Sequence, residues 1–349
     1  MNEQKYQEIL KDVLARIAGL MVMGIRDKLE VGKKVIDFDV LVQIDGKPYD
    51  LMVEIKSKGT PLSIRGAIDS LRKIIPEANT GLLYCVAAAP FISDIGRQLC
   101  REAGVGCIDL AGNCYINFGS VYLEIKGNPN PTPFKPELSL FSPKSSRISR
   151  ILLSNVSKLW QVQELAKEAY VSLGLASKIK DQLKEEGFLI EEGRLLKLTA
   201  PDRLLDAWSE KYSYKRNRIY EFYSNSNVAT LKWAIQENCF NNDIKCALTL
   251  FSGAAQVAPH VRMEKVFIYV EKGIDQLAKT LDFKPVASGP NIMLLEPYDQ
   301  GVFYKTQNVG KNVIVSNIQL YLDLKRYKGR GEEAASFLMQ TKLKQELGI

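Results

Sequence analysis

Two runs of alternating apolar and polar residues flank Asp45-Gly46 near the start of the chain. Ile36, Phe38, Val40, Val42 and Ile44 recur at period two in the first run, and Leu51, Val53 and Ile55 in the second. Period two predicts a half-buried strand. Asp-Gly supplies the positive φ angles of a two-residue hairpin turn. With Asp45 and Gly46 as the loop, Ile44 pairs with Lys47. Glu54 then falls opposite Asp37, with Asp39 on the diagonal. Around this hairpin, helices are expected at Tyr6–Ala18, Ile64–Ile75 and Asp94–Ala103. Buried or short strands are expected at Gly81–Ala89, Gly106–Asp109 and Tyr115–Phe118.

The pattern breaks between Lys126 and Pro143, where Pro129, Pro131, Pro133, Pro136 and Pro143 crowd together. Proline lacks a backbone donor and fixes φ, which excludes a helix interior or a central strand. An extended linker is expected there. Beyond it, SSRISRILLSNVSKLW reads as helical, Val162–Ala169 as a short helix and Ser172–Glu186 as a longer one. Leu175, Ile179 and Leu183 recur every four residues on the latter. Two short β runs surround Glu192-Gly193. From about Ser209 onward the chain alternates helix and strand, with strands at Ala247–Phe251, Lys265–Glu271, Ile292–Leu295 and Asn312–Val315. The predicted fold class is α/β and multi-domain: residues 1–127, a linker at 128–143, a helical unit with a β-hairpin at 144–205, and a C-terminal α/β domain at 206–349.

Composition narrows the function classes. The chain has 349 residues, 46% hydrophobic and 25% charged, with net charge +7. The positive balance mildly favours an anionic partner. The amphipathic N-terminus MNEQKYQEIL does not read as a signal peptide. No apolar run reaches the ~18 residues of a membrane span. None of the six cysteines forms a CxxC pair. They read as reduced core thiols of a cytoplasmic protein. His260 is the single histidine, which argues against a histidine–cysteine zinc site. It also lacks a nearby nucleophile motif. No GxxxxGK[ST] or GxGxxG loop occurs. Ser252-Gly253 precedes a helix and then a strand, as in nucleotidyltransferases. Glu264-Lys265-Val266 lacks the paired carboxylates that such a site uses for metal, so transferase activity is not expected.

The hairpin carries chemistry. Asp37, Asp39, Glu54 and Lys56 share one face, and clustered carboxylates suit a hard cation such as Mg²⁺. Asp, some fifteen residues, then Glu-x-Lys on the next strand resembles the PD-(D/E)XK nuclease superfamily. That resemblance implies Asp39 and Glu54 as metal ligands, with Asp37 an equal candidate for the aspartate, and Lys56 in the catalytic role. Glu8 could add a carboxylate from the first helix. The competing reading is an ordinary hairpin with a solvated charged face.

The segment VSLGLASKIKDQLKEEGFL resembles the turn and recognition helix of a winged helix-turn-helix. In that architecture the second helix enters the major groove. Ser172, Ser177 and Lys178 would lie near base edges and Lys180 near a phosphate, with Arg194 and Lys197 reaching from the wing. Basic and aromatic residues then interleave from Lys211 to Tyr220, where Lys215, Arg216 and Arg218 could neutralise phosphates. Buried or half-buried tyrosines and an interaction-only winged helix are the alternatives.

The tail VSNIQLYLDLKRYKGRGEEAASFL, with the winged helix and IDLAGNCYINF, resembles the AbiEi-like proteins of type IV toxin–antitoxin (abortive infection) systems. The likeness covers most of the chain after about Gly81 and is clearest at Gln319–Leu338. It implies a DNA-binding transcriptional regulator, the antitoxin to a nucleotidyltransferase toxin encoded nearby. Double-stranded DNA and a second copy of the chain are the other expected partners. A Mg²⁺-dependent deoxyribonuclease is the alternative function, and Mg²⁺ is expected only in that case. A protein-interaction module is the third.

Overall fold

The computed structural model describes residues 3–31, 34–73, 82–130, 139–261 and 264–349. It is a mixed α/β chain with two large sheets and one small one. It divides into two compact units, residues 1–137 with Lys184–Gly187, and residues 138–183 with 188–349. No helix among the described residues is long and apolar enough to cross a membrane. Of the expected linker, residues 131–138 lie outside the described residues.

The first unit is a seven-stranded sheet in sequence order. β1 (Met21–Val31), β2 (Lys34–Ile44) and β3 (Lys47–Ile55) are antiparallel. β4 (Leu82–Ala89) and β5 (Gly106–Asp109) continue in parallel. β6 (Cys114–Phe118) and β7 (Val121–Ile125) finish antiparallel. The hairpin turns at Asp45 and Gly46, both at positive φ, and Ile44 pairs with Lys47 as the spacing predicts. Helix α1 (Glu3–Leu14) lays Tyr6, Leu10 and Leu14 on Phe38, Val40, Leu51 and Val53. Helices α2 (Pro61–Arg72) and α3 (Asp94–Ala103) cover the opposite face, against Met52, Cys85 and Ala87. Ile36 packs with this second group rather than with Phe38 and Val40. Burying each such aliphatic side chain stabilises by roughly 1.5–3 kcal/mol. Helix α3 starts where Ser93 Oγ accepts the Gly96 N–H at 3.1 Å and stops at Gly104, with φ 70°. A serine N-cap and a left-handed glycine are the sequence signals for those ends.

The second unit opens with α4 (Pro143–Leu153), α5 (Val162–Glu168) and α6 (Leu173–Glu185), then the hairpin β8 (Leu189–Glu192) and β9 (Leu195–Leu198). After α7 (Pro201–Lys211) comes a seven-stranded mixed sheet, ordered β13-β10-β14-β12-β11-β16-β15. Its strands are β10 (Arg218–Tyr223), β11 (Cys246–Leu248), β12 (Val266–Val270), β13 (Lys284–Pro285), β14 (Ile292–Glu296), β15 (Gln307–Val309) and β16 (Asn312–Ile314). Helices α8 (Val228–Asn241) and α10 (Ile274–Thr280) bury Ile235 and Leu277 against one face, where Leu248, Ile268 and Leu294 point. Phe267, Tyr269 and Leu295 point the other way, into a core shared by α4 to α7, α9 (Leu250–Val257), α11 (Asn317–Lys325) and α12 (Gly331–Leu338). The helical segment with its hairpin and the C-terminal sheet therefore have one hydrophobic core between them.

Every residue of α11 from Asn317 to Leu324 is buried. Such a helix must satisfy its polar side chains internally. Asp323 does so by accepting from Tyr212 Oη at 2.5 Å, Thr249 Oγ1 at 2.5 Å, Gln319 Nε2 at 2.9 Å and Tyr269 Oη at 3.0 Å.

Candidate nucleic-acid interface

The expected helix–turn–helix segment is built by its apolar positions. Helix α5 buries Leu165 and Ala166, and α6 buries Ala176, Ile179 and Leu183. Phe188, Leu189, Leu196 and Leu198 from the hairpin join the same cluster. The hairpin is anchored by Trp160, whose backbone N–H donates to Leu196 O at 3.0 Å and whose O accepts the Leu196 N–H at 2.8 Å. Lys158 Nζ sits 3.7 Å over the Trp160 ring. Between α5 and α6, Tyr170 takes φ 51° and is 86% exposed. A non-glycine residue there costs about 1–2 kcal/mol, and an exposed ring offers little packing in return. Tyr170→Gly is expected to raise unfolding stability by about 0.5–1 kcal/mol, net of glycine's entropy. Urea denaturation with an unchanged or lower midpoint would contradict this.

The expected contact residues fall into three groups. Lys178 on α6 and Arg194 and Lys197 on the hairpin are exposed, and Ser177 is half-exposed beside Lys178. Gly193, at φ 65°, makes the hairpin turn that presents Arg194. Ser172 acts locally, since its Oγ accepts the Leu175 N–H at 3.2 Å and so caps α6. Lys180 is turned inward. Its Nζ lies 3.1 Å from Asp181 and 3.6 Å from Glu191, its side chain is 16% exposed, and those carboxylates hold its pKa up. As placed, Lys180 ties α6 to β8 rather than reaching for a phosphate.

The basic–aromatic stretch divides the same way. Lys215, Arg216 and Arg218 are exposed, with Arg218 3.8 Å from Glu296. Tyr212 and Tyr214 are not available for stacking on bases. Tyr212 is in the Asp323 network, and Tyr214 is buried with its ring stacked 5.7 Å from Tyr327. Burial raises both phenol pKa values. His260, just after α9, stacks 4.4 Å from Phe337 and bonds Glu333 at 2.8 Å, a surface contact.

In the first unit the hairpin register, with Phe38 opposite Val53 and Asp39 opposite Met52, runs toward Asp37 and Glu54 as expected. The carboxylates nevertheless take separate partners. Asp39 is fully buried and receives the Arg26 guanidinium through Nε at 3.0 Å and Nη2 at 2.6 Å. Arg26 Nη2 also donates to Asp50 at 3.1 Å. Asp37 Oδ2 accepts the Ile55 N–H at 2.6 Å, and Lys56 Nζ donates to Glu54 Oε1 at 2.7 Å. Burial first, then the charges of Glu54 and Glu3, raise the Asp37 pKa, opposed by the Ile55 N–H and Lys56. The helix-borne carboxylate acting there is thus Glu3, while Glu8 is exposed. Among the described residues no three His, Cys, Asp or Glu side chains are grouped to hold a metal ion. Of the two candidate aspartates, Asp39 is already neutralised by an arginine, whereas Asp37 feels the charges of Glu54 and Lys56 and has no arginine partner of its own among the described residues. Arg26 lies on β1, a strand outside the expected set although Met21, Met23, Ile25, Leu29 and Val31 alternate along it; Met21 and Met23 face solvent and Ile25 is half-buried.

No curated protein matches the chain. From β9 to the start of α13 (Lys344–Leu347), a narrower span than the likeness from Gly81 onward, residues 197–344 match the family model described as "Transcriptional regulator, AbiEi antitoxin, Type IV TA system".

Proposed function

We propose that this chain is a DNA-binding transcriptional regulator, the antitoxin of a type IV toxin–antitoxin system. In this reading α4 to β9 form a winged helix-turn-helix whose third helix, α6, enters a major groove. The observation that carries it is the exposed set Lys178, Arg194 and Lys197, with half-exposed Ser177, on α6 and its hairpin, held on the core shared with the family-matched region. Lys178 reads base edges, Arg194 and Lys197 meet phosphates, and Lys215, Arg216 and Arg218 extend the cationic surface. Ser172 sets the start of the recognition helix, and Lys180 holds the wing to it. The toxin would be a nucleotidyltransferase encoded beside this gene, and a second copy of the chain would read the other half of the site.

Lys178→Ala with Arg194→Ala is expected to weaken binding to DNA upstream of its own operon about ten- to hundredfold. The salt dependence should become shallower by about one counterion for each phosphate no longer neutralised. The measurement is gel retardation across a salt series. Retention equal to wild type at every salt concentration would remove α6 and the hairpin from the interface. A Mg²⁺-dependent nuclease is the second reading: Asp39 is committed to Arg26, so Asp37, beside Glu54 and Lys56, would have to serve as its aspartate.

A further inference from the structure

The second unit contains a pocket of about 490 Å³ between α4, the end of α5 and the 3₁₀ turn Gln300–Phe303. Small-molecule sites occupy roughly 300–1,000 Å³ and combine apolar walls with a few placed polar groups. Here the walls include Phe303, Tyr304 and Tyr170, and the polar groups include Arg147, Arg150, Lys245 and one carboxylate, Glu168, which accepts from Tyr304 Oη at 3.0 Å. Two of these cations have carboxylate partners. Arg147 makes a two-nitrogen bond to Asp299, with Nη2 at 2.7 Å, and Lys245 lies 3.9 Å from Glu271.

Arg150 differs from both. It is 3% exposed, and its Nε and Nη1, both closed off from solvent, have no hydrogen-bond partner, so an anion reaches them only if the pocket wall gives way at Arg150. Its guanidinium is steadied 4.9 Å over the Trp208 ring. Tyr212, Tyr298, Asp299 and Asp323 act on it electrostatically from the surrounding elements. An arginine cannot shed its charge to escape burial. A buried guanidinium with free donors costs stability unless an acceptor reaches it.

We propose that this pocket binds a small organic anion, a planar body bearing one phosphate or carboxylate, with Arg150 receiving the anionic group. The planar part lies among Phe303, Tyr304 and Tyr170, and the exposed Tyr170 ring forms the mouth. The anionic group could come from a nucleotide or from an aromatic acid, and the probes separate the two. The full chain is titrated calorimetrically with adenosine monophosphate, adenosine, inorganic phosphate and benzoate. Saturable binding of adenosine monophosphate or benzoate is expected, with a Kd below about 1 mM, and at least tenfold weaker binding of adenosine and inorganic phosphate. Arg150→Met should abolish it. Should that variant not fold, Tyr170→Gly decides: a severalfold weaker Kd supports the site, and an unchanged Kd overturns it. No saturable heat from either anion, or full affinity in folded Arg150→Met, also overturns it. Because no DNA is present in the titration, the outcome does not depend on the regulator reading.

Discussion

Asp323→Ala is expected to remove about 3–5 kcal/mol of unfolding stability, the range for breaking a buried, charged hydrogen-bond network. Asp323 is fully buried and gathers donors from four separate places: Tyr212 after α7, Thr249 before α9, Tyr269 on β12 and Gln319 on its own helix. Alanine leaves those donors without their common acceptor. Some recover, because Gln319 Nε2 also donates to Tyr212 Oη at 2.8 Å and the two tyrosine hydroxyls lie 3.4 Å apart. The buried Arg150 additionally loses a negative neighbour. A urea series reads the loss, and a change under about 1 kcal/mol would mean that the network is not a keystone of this core. The same carboxylate carries a pH signature. Burial raises its pKa above the ordinary range against the pull of its hydrogen bonds. From about pH 4 upward, until the folded-state group itself ionises, the folded state holds a proton that the unfolded state has released. Stability therefore falls with rising pH through that window. Asp323→Asn should flatten that slope.

What the sequence made legible and what it hid have separable physical causes. Local signals carry local structure. Asp45-Gly46 sets its own turn and register, and Ser93 with Gly104 brackets α3. The four-residue spacing of Leu175, Ile179 and Leu183 marks α6, whose buried stripe keeps Ile179 and Leu183. A period-two pattern is harder to act on where one end of it faces solvent: Met21, Met23, Ile25, Leu29 and Val31 alternate along β1, a strand outside the expected set. In β1 Met21 and Met23 are more than half exposed, and in β10 only Phe222 is buried. Long-range electrostatics is hidden more deeply. Nothing near Asp323 in the chain points to Tyr212, which lies 111 residues away. Nothing near Arg150 announces that it ends beside Trp208 with donors free. Expected site residues depart from their roles where a charge has a private partner. Lys180 and Asp39 are legible as charged residues on the right elements, but Asp181 with Glu191 claims the one and Arg26 the other.

Arg26→Met is expected to cost about 2–3 kcal/mol, below the usual loss for a fully buried pair because Arg26 is itself half exposed. The methionine retains most of the aliphatic stem over β2 and β3, so the loss isolates the charge. Asp39 would then be a buried carboxyl with no solvent access and no counter-charge. Asp50 would be left without its ion pair to Arg26 as well. If the pair is what matters, Arg26→Met combined with Asp39→Leu should recover much of the stability, and the interaction energy follows from the double-mutant cycle. Additive losses would mean that the two side chains pack independently. The same cycle bears on chemistry. A metal-dependent nuclease built on Asp39, rather than on Asp37, would require Arg26 to leave, so any nicking of supercoiled plasmid in Mg²⁺ or Mn²⁺ with Arg26 in place should depend on Asp37. Nicking that Glu54→Ala and Asp39→Leu abolish but Asp37→Asn spares would mean that the guanidinium yields to an ion. The Arg26–Asp39 bond would then be a latch on an active site rather than part of a scaffold.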